Sequence, residues 1–464
     1  MFSIDSGQPL LTAATMREAE RAAIAAGTSP LTLMERAAAG ATRAILAYAP
    51  ARRATILCGP GNNGGDGYGI ALLLHAAGVS VTVAADAPPV AEPAATMAQR
   101  WHDAGGTVVA LADAPPAPLI IDALYGIGLS RPLPDADQAA LDRLRGAGRV
   151  VAIDVASGLD ADTGALLGQP LVAELTVAFG AAKPGHVLGE GAAISGRLAV
   201  IDIGIPLASD LRLTAPPRLV GLASDAHKYS RGWVMMVEGT SGHGGAAGLC
   251  GLAALRCGAG LVTLAGEAGG RAPALALMRR SDDEAAVLLA DKRMGAVVIG
   301  PGMEAGPRAR GWLRRLQWAS IPTVIDAGAL RLLDPSALGT PAVLTPHEGE
   351  FAQLFGPVGS DRLAAVRAAA EKIGAVVLLK GPATIIASPD GRAAINAHAA
   401  PWLATAGSGD VLAGMIAALL AQGHPLFEAA CAAAWLHGDA GRRLGAGGIA
   451  DDLVASLPAV LAGL

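Results

Sequence analysis

Residues 404–414 read Ala404-Thr405-Ala406-Gly407-Ser408-Gly409-Asp410-Val411-Leu412-Ala413-Gly414, and an apolar helical pattern fills 411–420. Successive amides of a glycine turn at a helix N-terminus form an anion hole, and the helix dipole adds favourable potential for phosphate. A carboxylate in that hole repels phosphate unless it has a task. The fitting task is to take the proton of an acceptor hydroxyl during in-line phosphoryl transfer. The competing reading makes Asp410 a plain helix cap.

Around this turn, short apolar runs alternate with helical stretches. Runs at 234–237, 261–264, 297–299, 323–325, 342–344, 376–379 and 384–386 read as strands, and 426–444 reads as a second long alanine-rich helix. The first half has the same rhythm. Two helices over 12–48, the first capped by Thr12, precede strands at 54–57, 79–84, 119–121, 150–153, 175–179 and 198–201. Both halves are therefore expected to be α/β with mostly parallel sheets. Order fades over 207–226, around Pro216-Pro217, which predicts domains at 1–210 and 222–464.

Composition supports two cores, since 52% of 464 residues are apolar. The formal charge of −5, without blocks of like charge, excludes an electrostatic footprint for nucleic acid or an anionic membrane. No run of about 18 large apolar residues escapes interruption by Gly, Pro or charge, so no transmembrane span is expected. Met1-Phe2-Ser3-Ile4-Asp5 lacks the basic start and apolar run of a secretory signal, making the cytoplasm the default. Cys58, Cys250, Cys257 and Cys431 contain no C-x-x-C pair and read as core thiols. A homo-oligomer is expected, although alanine-rich helices suit packing within one subunit as well as between two.

In the first half, Cys58-Gly59-Pro60-Gly61-Asn62-Asn63-Gly64-Gly65-Asp66-Gly67 follows a strand and opens a helix. Glycines there let amides approach an anion, whereas a plain βα turn needs neither the asparagine pair nor Asp66. Two more strand ends, Asp122-Ala123-Leu124-Tyr125-Gly126-Ile127-Gly128-Leu129 and Asp154-Val155-Ala156-Ser157-Gly158-Leu159-Asp160, carry similar polar punctuation. Three such ends converge on one crevice of a parallel sheet, with oxygen ligands suited to a hard cation or sugar hydroxyls.

In this order the three motifs resemble the NAD(P)H-hydrate epimerase domain, a Rossmann-like fold, over about residues 10–205. The resemblance implies that Asn62, Asn63, Gly64, Gly65 and Asp66 bind substrate, and that Asn63, Asp122 and Ser157 ligate potassium. It also implies that Gly126, Ile127, Gly128, Leu129, Ser130, Arg131 and Pro132 form a substrate-phosphate loop, and that Asp154 contacts substrate as acid/base. Ala156 stands where the family usually has Pro.

In the second half, Lys380-Gly381-Pro382-Ala383-Thr384 ends a strand with a cation able to meet phosphates, and Thr345-Pro346-His347-Glu348-Gly349-Glu350-Phe351 follows another strand. The H-E-x-E run lacks the second His of a zinc helix. With Asp326, Gly300-Pro301-Gly302, His227 to Gly232, Leu255 to Val262 and the turn at Asp410, these motifs resemble the ribokinase-like fold. More narrowly, they resemble the ADP- or ATP-dependent NAD(P)H-hydrate dehydratase, over about residues 222–460.

That resemblance implies a nucleotide site at Lys380 to Thr384 and at Ala400, Pro401, Trp402, Leu403, Ala404, Thr405, Ala406, Gly407, Ser408 and Gly409. The hydrated dinucleotide would meet Ala246, Gly302, His347, Glu348, Gly349, Glu350, Phe351, Ala352, Gln353 and Asp410, with magnesium carried by ADP or ATP. The chain departs from the family at Glu238-Gly239-Thr240, at Gly328 and at Ala399-Ala400. Glu238 near phosphates would be repulsive.

Together the resemblances imply a bifunctional NAD(P)H-hydrate repair enzyme. Its small-molecule substrates would be NAD(P)H hydrate and an adenine nucleotide. A ribokinase-like small-molecule kinase joined to a non-catalytic binding module is the alternative.

Overall fold

The computed structural model describes residues 7–218, 221, 223–239, 244–266, 274–334 and 338–464; residues 1–5 and Thr240, which entered the readings above, lie outside the described residues. The chain forms two compact units, Met1–Ser209 and Asp210–Leu464. The segment 207–226, expected to lack order, contributes a strand to the second unit.

In the first unit, β1 (Arg53–Cys58), β2 (Ser80–Ala84), β3 (Thr107–Val109), β4 (Leu119–Ala123), β5 (Arg149–Ile153), β6 (Leu175–Phe179) and β7 (Arg197–Ile201) form one sheet in the order 3-2-1-4-5-6-7. Every neighbouring pair is parallel. Helices Ala13–Ala25, Pro30–Tyr48 and Asn62–Ala76 pack on one face and Asp135–Leu144 on the other, so β1, β4, β5 and β6 are buried on both sides. Thr12 caps the first helix by accepting the Thr15 amide at 3.2 Å. Strand order reverses between β1 and β4, and the crevice at such a switch point is where ligands bind in open parallel sheets.

The second unit's sheet contains β8 (Leu211–Leu213), β9 (Trp233–Val237), β10 (Leu261–Ala265), β11 (Leu277–Arg280), β12 (Met294–Ile299), β13 (Thr323–Ile325), β14 (Ala342–Leu344), β15 (Val376–Leu379), β16 (Thr384–Ala387) and β17 (Ala393–Asn396). Their order is 11-10-9-12-13-14-15-16-17-8, parallel except where β16 runs against β15 and β17. Helices Gly244–Arg256, Ser408–Ala421, Leu426–Leu444 and Ala450–Leu461 bury one face. The two alanine-rich helices are thus used up inside this unit, because small side chains let them pack closely on the sheet and on each other. All four cysteines are buried thiols. Among the described residues, no helix is long and apolar enough to cross a membrane.

Candidate functional sites

In the first unit, a cavity of about 460 Å³ opens at the switch point. Asn62, Asn63, Asp66, Gly126, Ile127, Gly128, Leu129 and Asp154 line it, together with Arg17, Glu20 and Lys183. Gly64 and Gly65 lie behind this wall. A Cβ at Gly64 would sit 1.8 Å from the Gly59 carbonyl oxygen, so the turn closes only on glycine. Ser130, Arg131 and Pro132 are exposed beyond the cavity.

Beneath the cavity, Asp122 is fully buried. Ser157 donates its hydroxyl to Asp122 Oδ1 at 2.6 Å and its amide to Oδ2 at 2.8 Å, and Tyr125 donates its amide to Ser157 Oγ at 2.9 Å. Burial pushes the Asp122 carboxyl up from its ordinary range, against those hydrogen bonds. Among the described residues, Asn63 Nδ2 is buried without a hydrogen-bond partner. A Cβ at Gly126 would lie 3.1 Å from both Asn63 Oδ1 and Asp154 Oδ2, so the loop after β4 brings these two side chains together.

Asp154 ends β5 with a φ of 64°, a left-handed conformation that costs a non-glycine residue of order 1–3 kcal/mol and is held only where its surroundings dictate it. The holding partners come from a fourth strand end, after β6, that the motifs above leave out. Lys183 Nζ pairs with Asp154 Oδ1 and donates to the Phe179 carbonyl at 3.1 Å. The Lys183 amide donates to His186 Nδ1 at 3.1 Å, which leaves Nε2 as the nitrogen carrying hydrogen, 2.8 Å from the Asp154 carbonyl. Burial, reinforced by Lys183, pushes His186 down to about 4, so the ring is neutral. Burial and the charge of Asp154 push Glu20 and Asp66 up, Asp66 strongly. The signal was present as Phe179-Gly180-Ala181-Ala182-Lys183-Pro184-Gly185-His186.

In the second unit, a cavity of about 720 Å³ is lined by His347, Lys380, Gly381, Pro382, Thr384, Ala399, Ala400, Pro401, Leu403, Ala404, Thr405, Ser408 and Gly409. Ala383, Trp402, Ala406 and Gly407 fall outside the lining, and Trp402 is exposed. Gly407 caps the helix Ser408–Ala421 with a φ of 88°, which turns the chain so that Asp410 lies in the first turn. Among the described residues, Asp410 makes no capping hydrogen bond. Lys380 pairs with Asp326 at 2.8 Å, and a Cβ at Gly409 would stand 3.4 Å from Lys380 Nζ. Burial, then the charge of Asp326, pushes Asp410 up to about 6, against the pull of Lys380.

The remaining members of the predicted set separate. His347 caps helix Glu348–Phe355, its Nδ1 accepting the Gly349 and Glu350 amides at 3.0 and 3.3 Å. Glu350 is buried beside it, 3.9 Å from Lys380. Phe351 is buried against Phe355, while Ala352 and Gln353 are exposed and Glu348 pairs with Arg362. Ala246 lies in helix Gly244–Arg256, and Gly302 abuts Gly239, whose Cβ would meet its carbonyl. Glu238 is fully buried and pairs with Arg279 at 3.0 Å, so its charge is met by a cation before any phosphate arrives. His437, which sequence reasoning also omitted, bonds Ser408 Oγ and O at 3.1 and 3.0 Å and so anchors the glycine turn. Burial holds it down to about 4, hence neutral.

A lysine and a glycine turn at a cavity over parallel strands, with a carboxylate in the next helical turn, fit the ribokinase-like class of α/β fold. A solved ribokinase-like superfamily protein from Enterococcus faecalis shares it, with 26% identity and a TM-score of 0.50 over 56% of this chain and 98% of its own. The NAD(P)H-hydrate dehydratase family profile matches residues 234–457, and that of the YjeF-related protein N-terminus matches residues 30–185. The bifunctional NAD(P)H-hydrate repair enzyme of Salinibacter ruber is 36% identical, with 98% of this chain and 96% of that one covered. Its counterpart in Moorella thermoacetica is also 36% identical, covering 98% and 97%. The chain belongs to the bifunctional NAD(P)H-hydrate repair enzyme family.

Proposed function

We propose that this enzyme restores nicotinamide cofactor that has gained water across its 5,6 double bond. The first unit interconverts the R and S forms of the C6 hydroxyl. That carbon is also bonded to the ring nitrogen, so when Asp154 takes the hydroxyl proton the C6–N1 bond can open, its electron pair passing to N1. Closure on the other face inverts the centre, and the proton returns. The second unit transfers a phosphoryl group from ATP or ADP to the S hydroxyl as Asp410 takes its proton. Phosphate then leaves C6 with the bonding electrons, C5 loses a proton, and the double bond of NAD(P)H returns.

The observation that carries this reading is Asp410, raised to about 6 beside the cavity while Lys380 is committed to Asp326. A base with proton affinity near working pH is matched to its task. Magnesium would arrive with the nucleotide, its ligands mostly phosphate and water oxygens. Among the described residues no group of three or more His, Cys, Asp or Glu forms a protein cage.

Potassium would be held by Asn63, Asp122 and Ser157. Asp122 is fully buried and meets the Ser157 hydroxyl and amide and the Leu124 amide, without an ion-pair partner among the described residues, and all three side chains offer oxygen. When bound, the ion would supply the positive charge this carboxylate lacks. Purified enzyme given S-NADH hydrate, magnesium and ATP or ADP should return reduced-nicotinamide absorbance with one phosphate released per NADH. A stable phosphorylated product without that absorbance would contradict the reading.

A further inference from the structure

We infer that Lys183 is the positioning residue that selects Asp154, rather than Glu20 or Asp66, as the base of the first unit; this rests on the epimerase reading above. The three carboxyl groups line one cavity, and among the described residues its lining holds one fully buried cation. Lys183 Nζ is committed to Asp154 Oδ1 and the Phe179 carbonyl, so its charge is delivered to Asp154. Isolated in an apolar interior, either charge of that pair would be expensive, and together each keeps the other. Of the two cations, Glu20 feels Lys183 first and then Arg17, from helix Ala13–Ala25, but the lysine touches Asp154.

The geometry also fixes where Asp154 points. Its Oδ1 is turned to the lysine, and its Oδ2 faces the loop at Gly126. The backbone is clamped by a closed circuit in which the Lys183 amide sets the His186 tautomer and His186 holds the Asp154 carbonyl. Lys183 lies in the cavity wall with no solvent-exposed surface, its Nζ turned to Asp154 and the Phe179 carbonyl.

The test is a double-mutant cycle on the full-length enzyme with potassium, following R-to-S conversion of NADH hydrate. Lys183→Met keeps the apolar stem and should lower kcat about 100-fold with KM changed less than about threefold. Lys183→Arg, which keeps the charge, should recover part of the loss. In an Asp154→Asn background, Lys183→Met should cost nothing further, because the residue acts through a carboxylate no longer there. Should Lys183→Met fold poorly, the neutral Asp154→Asn/Lys183→Met pair compared with Asp154→Asn alone carries the test. Additive losses, or a wild-type kcat in Lys183→Met, would overturn the assignment. A wild-type enzyme unable to interconvert the epimers would instead overturn the epimerase reading beneath it.

Discussion

Asp154 follows a strand of a wholly parallel sheet and Asp410 opens a helix over a mixed one, and the lysine near each is used differently. Lys183 has no exposed surface and touches Asp154 directly, whereas Lys380 is partly exposed, lines the cavity of the second unit and pairs with Asp326 instead. The difference follows from what each site must receive. In the first unit the cation is held against one carboxylate of a cavity that brings three together. The proposed phosphate site keeps its cation at the cavity wall, and burial and a neighbouring carboxylate raise the proton affinity of Asp410.

The largest effects should come from removing either base. Asp410→Asn should lower S-hydrate dehydration by about 100-fold or more, with nucleotide affinity nearly unchanged by calorimetry; full turnover would remove Asp410 from its role. Asp154→Ala should stop epimerisation while S-hydrate turnover continues, which stopped-time chromatography of the two epimers can follow. An unchanged epimerisation rate would break the comparison on the other side.

A pH series sharpens the contrast. Since Asp410 accepts a proton only when ionised, kcat/KM for dehydration should fall about tenfold per unit below pH about 6. Asp326→Asn should move that limb to lower pH, because it removes a negative neighbour and releases Lys380 toward Asp410. A limb that stays in place would mean that Asp326 does not set the base.

The same raised value has a stability consequence. The folded protein holds the Asp410 proton more tightly than the ordinary 3.8, so stability declines as pH rises from about 4 through about 6. Asp410→Asn should therefore be more stable than wild type at pH 7 by about 1 kcal/mol after allowance for solvent screening, and the gain should vanish near pH 4. Denaturant titration at the two values checks it. At Gly328 a Cβ would lie 1.8 Å from the Met303 carbonyl oxygen, so Gly328→Ala should cost about 1–3 kcal/mol by overpacking. An unchanged melting temperature would show that the turn at Gly300 gives way.

The long helix Leu426–Leu444 was legible to its ends because an apolar periodicity runs between Pro425 and Gly445. Strands β3, β8, β11 and β17 were not legible. Each has three or four residues, and β3, β8 and β11 lie at sheet edges where alternation is weak; β17 is half alanine, with Ile395 its one β-branched residue. Asn63, Asp122, Asp154 and Ser157 stood out because polar residues at strand ends are readable locally. Lys183 did not, since its meaning depends on a partner 29 residues away, and His437 looks like any histidine in an apolar helix until Ser408 is folded against it. Glu238 seemed a threat to phosphate only because Arg279, on a neighbouring part of the sheet, could not be placed beside it from sequence.

The most direct test of the whole account is incubation of the full-length enzyme with an equal mixture of R and S NADH hydrate, magnesium, potassium and ATP or ADP. Both epimers should be consumed and the NADH formed should match their sum. NADH stopping at the S fraction, with R hydrate left unchanged, would contradict the role given to the first unit, and no NADH at all would contradict the role given to Asp410.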